Sequence, residues 1–150
     1  MIYLECDADK ALVSVLGISK NEIRHVHGKG NVCNRLERNR DCIGLIDEDP
    51  GSSQPSYLQR LQASPRPNDI VLFHDKRANN RVVMLRPWLE EWILKTAREA
   101  AADLSKYGLP HHAGGLHEII NIRMDHFKRF VEELKATSQR LKALAEILRA

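Results

Sequence analysis

Aromatic side chains are scarce in this sequence: two Trp, three Tyr and three Phe in 150 residues. With so few available, Trp88 and Trp92, one helical turn apart, are expected to build core rather than a base-stacking platform. Cysteine is scarcer still. Cys6, Cys33 and Cys42 form an odd set without C-x-x-C spacing, which argues against a disulfide framework and against zinc sites made of cysteine pairs. They read as reduced thiols of a cytoplasmic protein. No apolar run approaches the roughly 20 residues of a membrane span, and Met1–Leu4 opens as a strand without a basic leader, so neither membrane nor export is expected. A strong charge excess is also missing. Lys plus Arg number 23 against 20 Asp plus Glu, a formal +3, which neither requires nor excludes a nucleic-acid partner. There is no G-x-S-x-G around Ser14, Ser52 or Ser53, so serine hydrolysis has no support.

What is present is an alternation of strand-like and helix-like runs. Met1–Leu4 reads as a strand, and Asp7 or Asp9 as the N-cap of a helix carrying Ala11, Leu12, Val15 and Leu16. Residues 22–27 form a weaker strand, Gly28-Lys29-Gly30 a turn, and 31–40 a polar helix. Cys42–Ile46 is apolar throughout, as in a strand covered on both faces, and should be central. Around 51–67 the prolines and glycine suggest an irregular, flap-like region with one short helix at 57–62. Residues 69–74 and 81–85 suggest a hairpin, or a fourth strand with an edge strand beside it. Pro87 fits the first turn of a long helix to about Lys106.

From Leu116 to Leu148 apolar and small residues alternate at intervals of four and three: Ile120, Met124, Phe127, Val131, Leu134, Ser138, Leu141, Ala145 and Leu148. This predicts one long amphipathic helix with a narrow seam. The seam has three fates open to it: packing on the sheet, pairing with the 88–106 helix, or meeting a second subunit or another protein. The expected architecture is an α/β domain over 1–95, with a mainly parallel sheet of four to five strands flanked by helices. A helical extension over 96–150 packs on it.

In parallel sheets, functional groups gather beyond the carboxyl ends of the strands. Glu5 closes the first strand. Asp47 and Asp49 close the third and, being two apart, point the same way from an extended backbone. Two such charges about 5 Å apart repel by roughly 3 kcal/mol at an effective dielectric near 20. Either a shared proton or a hard cation, Mg²⁺ or Mn²⁺, is needed to offset that repulsion, unless the acids are simply solvated strand ends and caps.

Glu5-Cys6-Asp7-Ala8-Asp9 resembles the strand-terminal E-G-x-x-D pattern of Toprim domains. Asp47-Glu48-Asp49, followed by Pro50-Gly51, resembles their D-x-D. The separation of about 40 residues and the turn His27-Gly28-Lys29-Gly30 are also similar, as are Pro87–Trp92 and Leu116-His117 to small stand-alone members. Such domains occur in primases, topoisomerases and OLD-type nucleases. The resemblance implies a Rossmann-like Toprim fold and a magnesium- or manganese-dependent nuclease site for phosphodiester chemistry. It assigns Glu5 as general acid/base or metal ligand, Asp47 and Asp49 as metal ligands, and Asp9 as an accessory acid. Cys6 stands where the family has glycine, a departure that bears on activity if the turn needs a positive φ.

The alternative is a non-catalytic module on the same scaffold, docking on itself or on a partner such as an ATPase through the 116–148 helix. A third reading is phospho-ligand binding without cleavage, Gly28, Lys29 and Gly30 cradling a phosphate. Lys29 with Arg35, Arg38 and Arg40, and separately Lys76, Arg77 and Arg81 at the hairpin tip, are either solvated faces or contacts to a nucleic-acid backbone. His111, His112 and His117 flank Gly114-Gly115 as a zinc site or, more simply, as a polar loop with a helix cap.

Overall fold

The computed structural model describes residues 1–150. Its strands are β1 (Ile2–Leu4), β2 (Ile23–His25), β3 (Ile43–Asp47), β4 (Ala63–Arg66), β5 (Ile70–Asp75) and β6 (Asn80–Leu85). Its α-helices are α1 (Asp7–Val15), α2 (Lys29–Arg38), α3 (Ser56–Gln59), α4 (Leu89–Glu99), α5 (Ala113–Ile122), α6 (Met124–Leu134) and α7 (Gln139–Arg149). The strands form one sheet in the order β2-β1-β3-β6-β5-β4. It is parallel from β2 to β6 and antiparallel from β6 to β4. The α/β class follows from the alternation of elements, but six strands replace the expected four or five. The additional one, β4, is Ala63-Ser64-Pro65-Arg66, exposed throughout. Its polar composition and Pro65 conceal it in the sequence, and its edge position tolerates both.

Period-two alternation divides the strand residues between two cores. Ile2, Leu4, Leu45, Ile70, Val83 and Leu85 face a cluster of 29 buried residues completed by α1, α4, α5, α6 and α7. Tyr3, Ile46, Val71, Phe73, Val82 and Met84 face a cluster of 13 completed by α2 and α3. The unequal sizes reflect five helices on one face and two on the other. On the smaller side α2 lies close to β3 because of Gly44. A Cβ there would sit 2.7 Å from Val32 Cγ1 and 2.9 Å from Leu36 Cδ1. Gly44→Ala is therefore expected to push α2 outward, at a cost of about 1–3 kcal/mol. Melting should fall by roughly 3–10 °C; an unchanged melting temperature would show that the interface yields freely.

Four helix expectations need correction. Neither Asp7 nor Asp9 caps α1: the N-cap position is Cys6, without a side-chain cap, and both acids lie in the first turn. Pro87 lies before α4 rather than in its first turn, since Trp88 is the N-cap, and the helix ends at Glu99 instead of reaching Lys106. Beyond it Ala101 has φ +52°, and the Asp103 side chain caps a separate short turn at Leu104–Tyr107. The 116–148 segment is not one helix. It breaks at Arg123, whose backbone is non-helical, and again before Ser138, whose hydroxyl accepts from the Leu141 N–H at 3.2 Å. The four-three alternation runs unbroken across both breaks because all three helices turn their apolar faces to the same core. Ser138, which reads as a seam residue by spacing, is a cap. Leu116, Ile120, Phe127, Val131, Leu141, Ala145 and Leu148 are all buried in the larger cluster, so the seam is occupied within the chain.

Polar ties fasten these last helices to the rest. Lys135 donates to Val15 O at 3.2 Å and Arg149 to Leu16 O, filling carbonyls at the end of α1, which has no basic residue in its own last turn. Arg81 on β6 donates to Ile147 O at 2.9 Å and Ala150 O at 2.6 Å. Arg140 of α7 is buried and pairs with Asp69 at 2.9 Å. No helix is long and apolar enough to cross a membrane.

Candidate functional site

From β1 the chain passes through α1 to β2 on one side, then through α2 to β3 on the other. The loops leaving β1 and β3 consequently run to opposite faces of the sheet, which opens a crevice between the two strand ends. This is the switch point at which parallel sheets place their ligands. Glu5 follows β1 and Asp47 ends β3, one on each side of it.

The two acids meet. Glu5 Oε2 accepts a hydrogen bond from the Asp47 N–H at 2.6 Å. Burial raises the Glu5 pKa; this N–H and then Lys29 oppose the shift, while Asp49 adds to it. Asp47 is pushed up to about 7, first by burial and then by the Glu5 charge, although the Leu89 N–H at the start of α4 pulls the other way. Behind them lies Asp9, third residue of α1 and on its inward face, only 2% exposed. Its pKa is raised well above the usual carboxylate range by burial, Asp47 and Glu5. The helix N-terminus favours a negative charge there, but desolvation outweighs it. Asp9 Oδ1 and Asp47 Oδ1 are both buried without a hydrogen-bond partner.

Asp49 behaves differently from the expectation. β3 ends at Asp47 and Asp49 has φ +47°, so the extended alternation that would align the two side chains does not reach it. Its N–H donates to Pro87 O at 3.0 Å and its Oδ1 accepts from the Trp88 indole at 3.2 Å. Trp88, expected in the core, is 40% exposed at this rim, whereas Trp92 is fully buried. The tight acid set is thus Glu5, Asp47 and Asp9, with Asp49 close enough to act on Glu5 but engaged elsewhere.

Cys6 has φ −149° and ψ 170°, an extended conformation open to any residue, so glycine is not needed there. Burial, followed by the charge of Asp9, raises its thiol pKa. Gly28, by contrast, has φ +91° as the N-cap of α2, a conformation that favours glycine. Gly30 lies within the first turn of α2, and a Cβ there would meet open space. Lys29 spans from α2 to the loop after β3, donating to Glu48 O at 2.7 Å and Gln54 Oε1 at 3.2 Å. It fastens that loop and leaves its charge near Glu5 and Asp47. At the crevice's outer edge His25 lies between Asp7 (Nδ1 to Oδ1, 3.1 Å) and Glu5 O (Nε2, 3.2 Å), with the His27 ring 4.4 Å away. This linkage was not legible in the sequence.

The remaining candidates pair elsewhere, although Glu90, which holds His117, also acts on Asp47. His112 Nδ1 accepts from the Gly115 N–H at 3.1 Å as the cap of α5, while His117 pairs with Glu90 at 2.7 Å and His111 with Asp103 at 3.4 Å. Lys76 and Arg77 are exposed in the β5–β6 turn, at the opposite end of the sheet from the crevice.

A hard cation suits the donor chemistry: carboxylate oxygens, two of them bare and buried, with more negative charge than local protein groups neutralise. In the present rotamers no three His, Cys, Asp or Glu side chains converge closely enough to hold an ion. Glu5 Oε2 is held by the Asp47 N–H, which leaves Oε1 as its free donor. Comparison with family models, curated proteins and solved structures returns no match for the chain.

Proposed function

We propose that this is a Toprim-like protein that processes nucleic acid by divalent-metal-dependent phosphodiester hydrolysis. The observation carrying the proposal is the Glu5–Asp47–Asp9 cluster at the switch point, with two buried carboxylate oxygens unpartnered. Glu5 and Asp47 would hold Mg²⁺ or Mn²⁺, with Asp49 completing the set from the rim. A cation bound there supplies charge neutralisation and polarises a phosphoryl oxygen. Asp9, too deep to touch substrate, is a positioning residue whose proton or charge sets those of Asp47. Lys29 holds the loop after β3 against α2 and thereby fixes one wall of the crevice. Burial and the Glu5 charge push the Asp47 pKa up to about 7, so a cation held there would take the place of a proton near neutral pH.

Thermal melting with and without millimolar Mg²⁺ or Mn²⁺ at pH 8 tests the metal. The ion should raise the melting temperature of the wild type by several degrees, as expected for a ligand well above its dissociation constant. Asp47→Asn and Glu5→Gln should lose the shift. An equal shift in both variants, or none in the wild type, overturns the site. Cleavage of labelled oligonucleotides with Mn²⁺, abolished by Glu5→Gln, tests the reaction. The rival reading, docking through 116–148, would have to use the outer face of that segment, because its seam is covered by the chain's own core.

A further inference from the structure

We infer that an anion site, at the opposite end of the sheet from the carboxylates, grips the phosphate backbone of a single nucleic-acid strand. A cleft of about 440 Å³ opens there between the end of α2 and the loop after it, α3 and the β5–β6 turn. Arg38, Arg40, Arg60 and Arg77 line it with Glu37 and Asp75. Three separated stretches of chain therefore bring four guanidinium groups to one concavity, whereas the sequence shows only two unconnected basic runs.

Both acids in the cleft are already engaged. Glu37 pairs with Arg60 at 2.9 Å. Asp75 accepts from the Tyr57 hydroxyl at 3.0 Å and from the Arg77 N–H at 3.0 Å. Arg38, Arg40 and Arg77 have no carboxylate within 4.0 Å. Uncompensated guanidinium forks match phosphate oxygens in geometry as well as in charge.

The backbone beneath them is preorganised. Asp41 donates its N–H to Ala78 O at 3.0 Å and accepts from Asn79 Nδ2 at 2.8 Å. Fully buried Asn80 accepts from the Cys42 N–H at 2.9 Å and donates to Leu36 O and Asn39 O at 2.8 and 2.9 Å. The loop bearing Arg40 and the turn bearing Arg77 are thereby held together before any ligand arrives, which reduces the ordering cost of binding. The site and the carboxylates lie at opposite ends of β3, whose five residues span about 16 Å at roughly 3.3 Å per residue.

The test is fluorescence anisotropy of a short labelled single-stranded oligonucleotide in EDTA at low salt, with the full chain. Three or four phosphate contacts should give a slope of log affinity against log salt of about −2 to −3. The double substitution Arg38→Gln, Arg77→Gln should weaken binding about tenfold or more and flatten the slope by about 1.4. Because both residues are exposed, its melting temperature and Mg²⁺ shift should match the wild type. Glu5→Gln should bind the strand normally, so this inference and the carboxylate reading fail separately. Absence of wild-type binding, unchanged affinity and slope in the double variant, or displacement by an equimolar amount of pyrophosphate each overturns the strand site.

Discussion

Replacing Arg140 with alanine is expected to destabilise the protein by about 3 kcal/mol, with melting lowered by roughly 6–12 °C. This guanidinium is 1% exposed. It pairs with Asp69 at 2.9 Å, donates to Thr96 Oγ1 at 3.1 Å and stacks over the Trp92 ring with its carbon 4.6 Å from the centroid. Removing it leaves a cavity, strips a desolvated cation from an aromatic face and leaves a partly buried carboxylate with one partner fewer. Lys95 also binds Asp69, at 2.7 Å. Lys95 and then Arg140 hold that carboxyl below the usual range, so the loss should fall at the low end for a broken buried pair. Arg140→Met keeps the volume without the charge and should cost less than half as much. Urea unfolding of both variants decides: equal losses would mean that the charge and its hydrogen bonds alone matter, and a loss below about 1 kcal/mol for alanine would sink the account.

Stability should also fall as pH rises from about 4 to 7, and Asp47→Asn should remove much of that fall. The Asp47 pKa goes from 3.8 unfolded to about 7 folded. Because the folded value is the higher one, the folded state keeps its proton through this interval while the unfolded state loses it. The contribution of Asp47 to stability is therefore full below about pH 4, declines as pH rises to about 7, and is lost beyond. Burial acting first, with the neighbouring acids adding to it, raises Asp9 and Glu5 in the same direction. The decline should be on the order of 4 kcal/mol for Asp47 alone, since each tenfold change in proton affinity between the two states is worth about 1.4 kcal/mol. At pH 8 without metal, Asp47→Asn should exceed the wild type in stability, and at pH 5 the advantage should shrink. Every histidine is common to both proteins, so the comparison isolates the cluster. A wild type equally stable at pH 5 and pH 8, or a variant weaker at pH 8, contradicts it.

These results show which features a sequence makes legible. Cys42–Ile46 could be placed at the sheet's centre because an uninterrupted apolar run fits only a strand covered on both faces. Glu5 and Asp47 could be paired because strand ends in a parallel sheet share one side. Asp49 could not be placed, since its orientation depends on a positive φ and a tryptophan 39 positions away. Asp9 was implied only by resemblance, and its depth reflects the rotation of α1 about its axis. The breaks at Arg123 and Ser138 were hidden because three helices against one core preserve a single helix's periodicity. The Ser138 cap was nonetheless visible as a serine before a helical run, had capping been weighed against seam. Arg140, Asn80 and the arginine cleft depend on long-range convergence that local pattern does not encode.

The two side chains that fill the carbonyls at the end of α1 lie 120 and 133 positions downstream of the residues they bind. In synthesis order the first helix therefore emerges with its final turn open to solvent and remains so until α6 and α7 have followed it. The first strands can associate early, but the larger core is closed only when α7 docks. A nascent chain stalled before Gln139 should thus be an easy target for proteases.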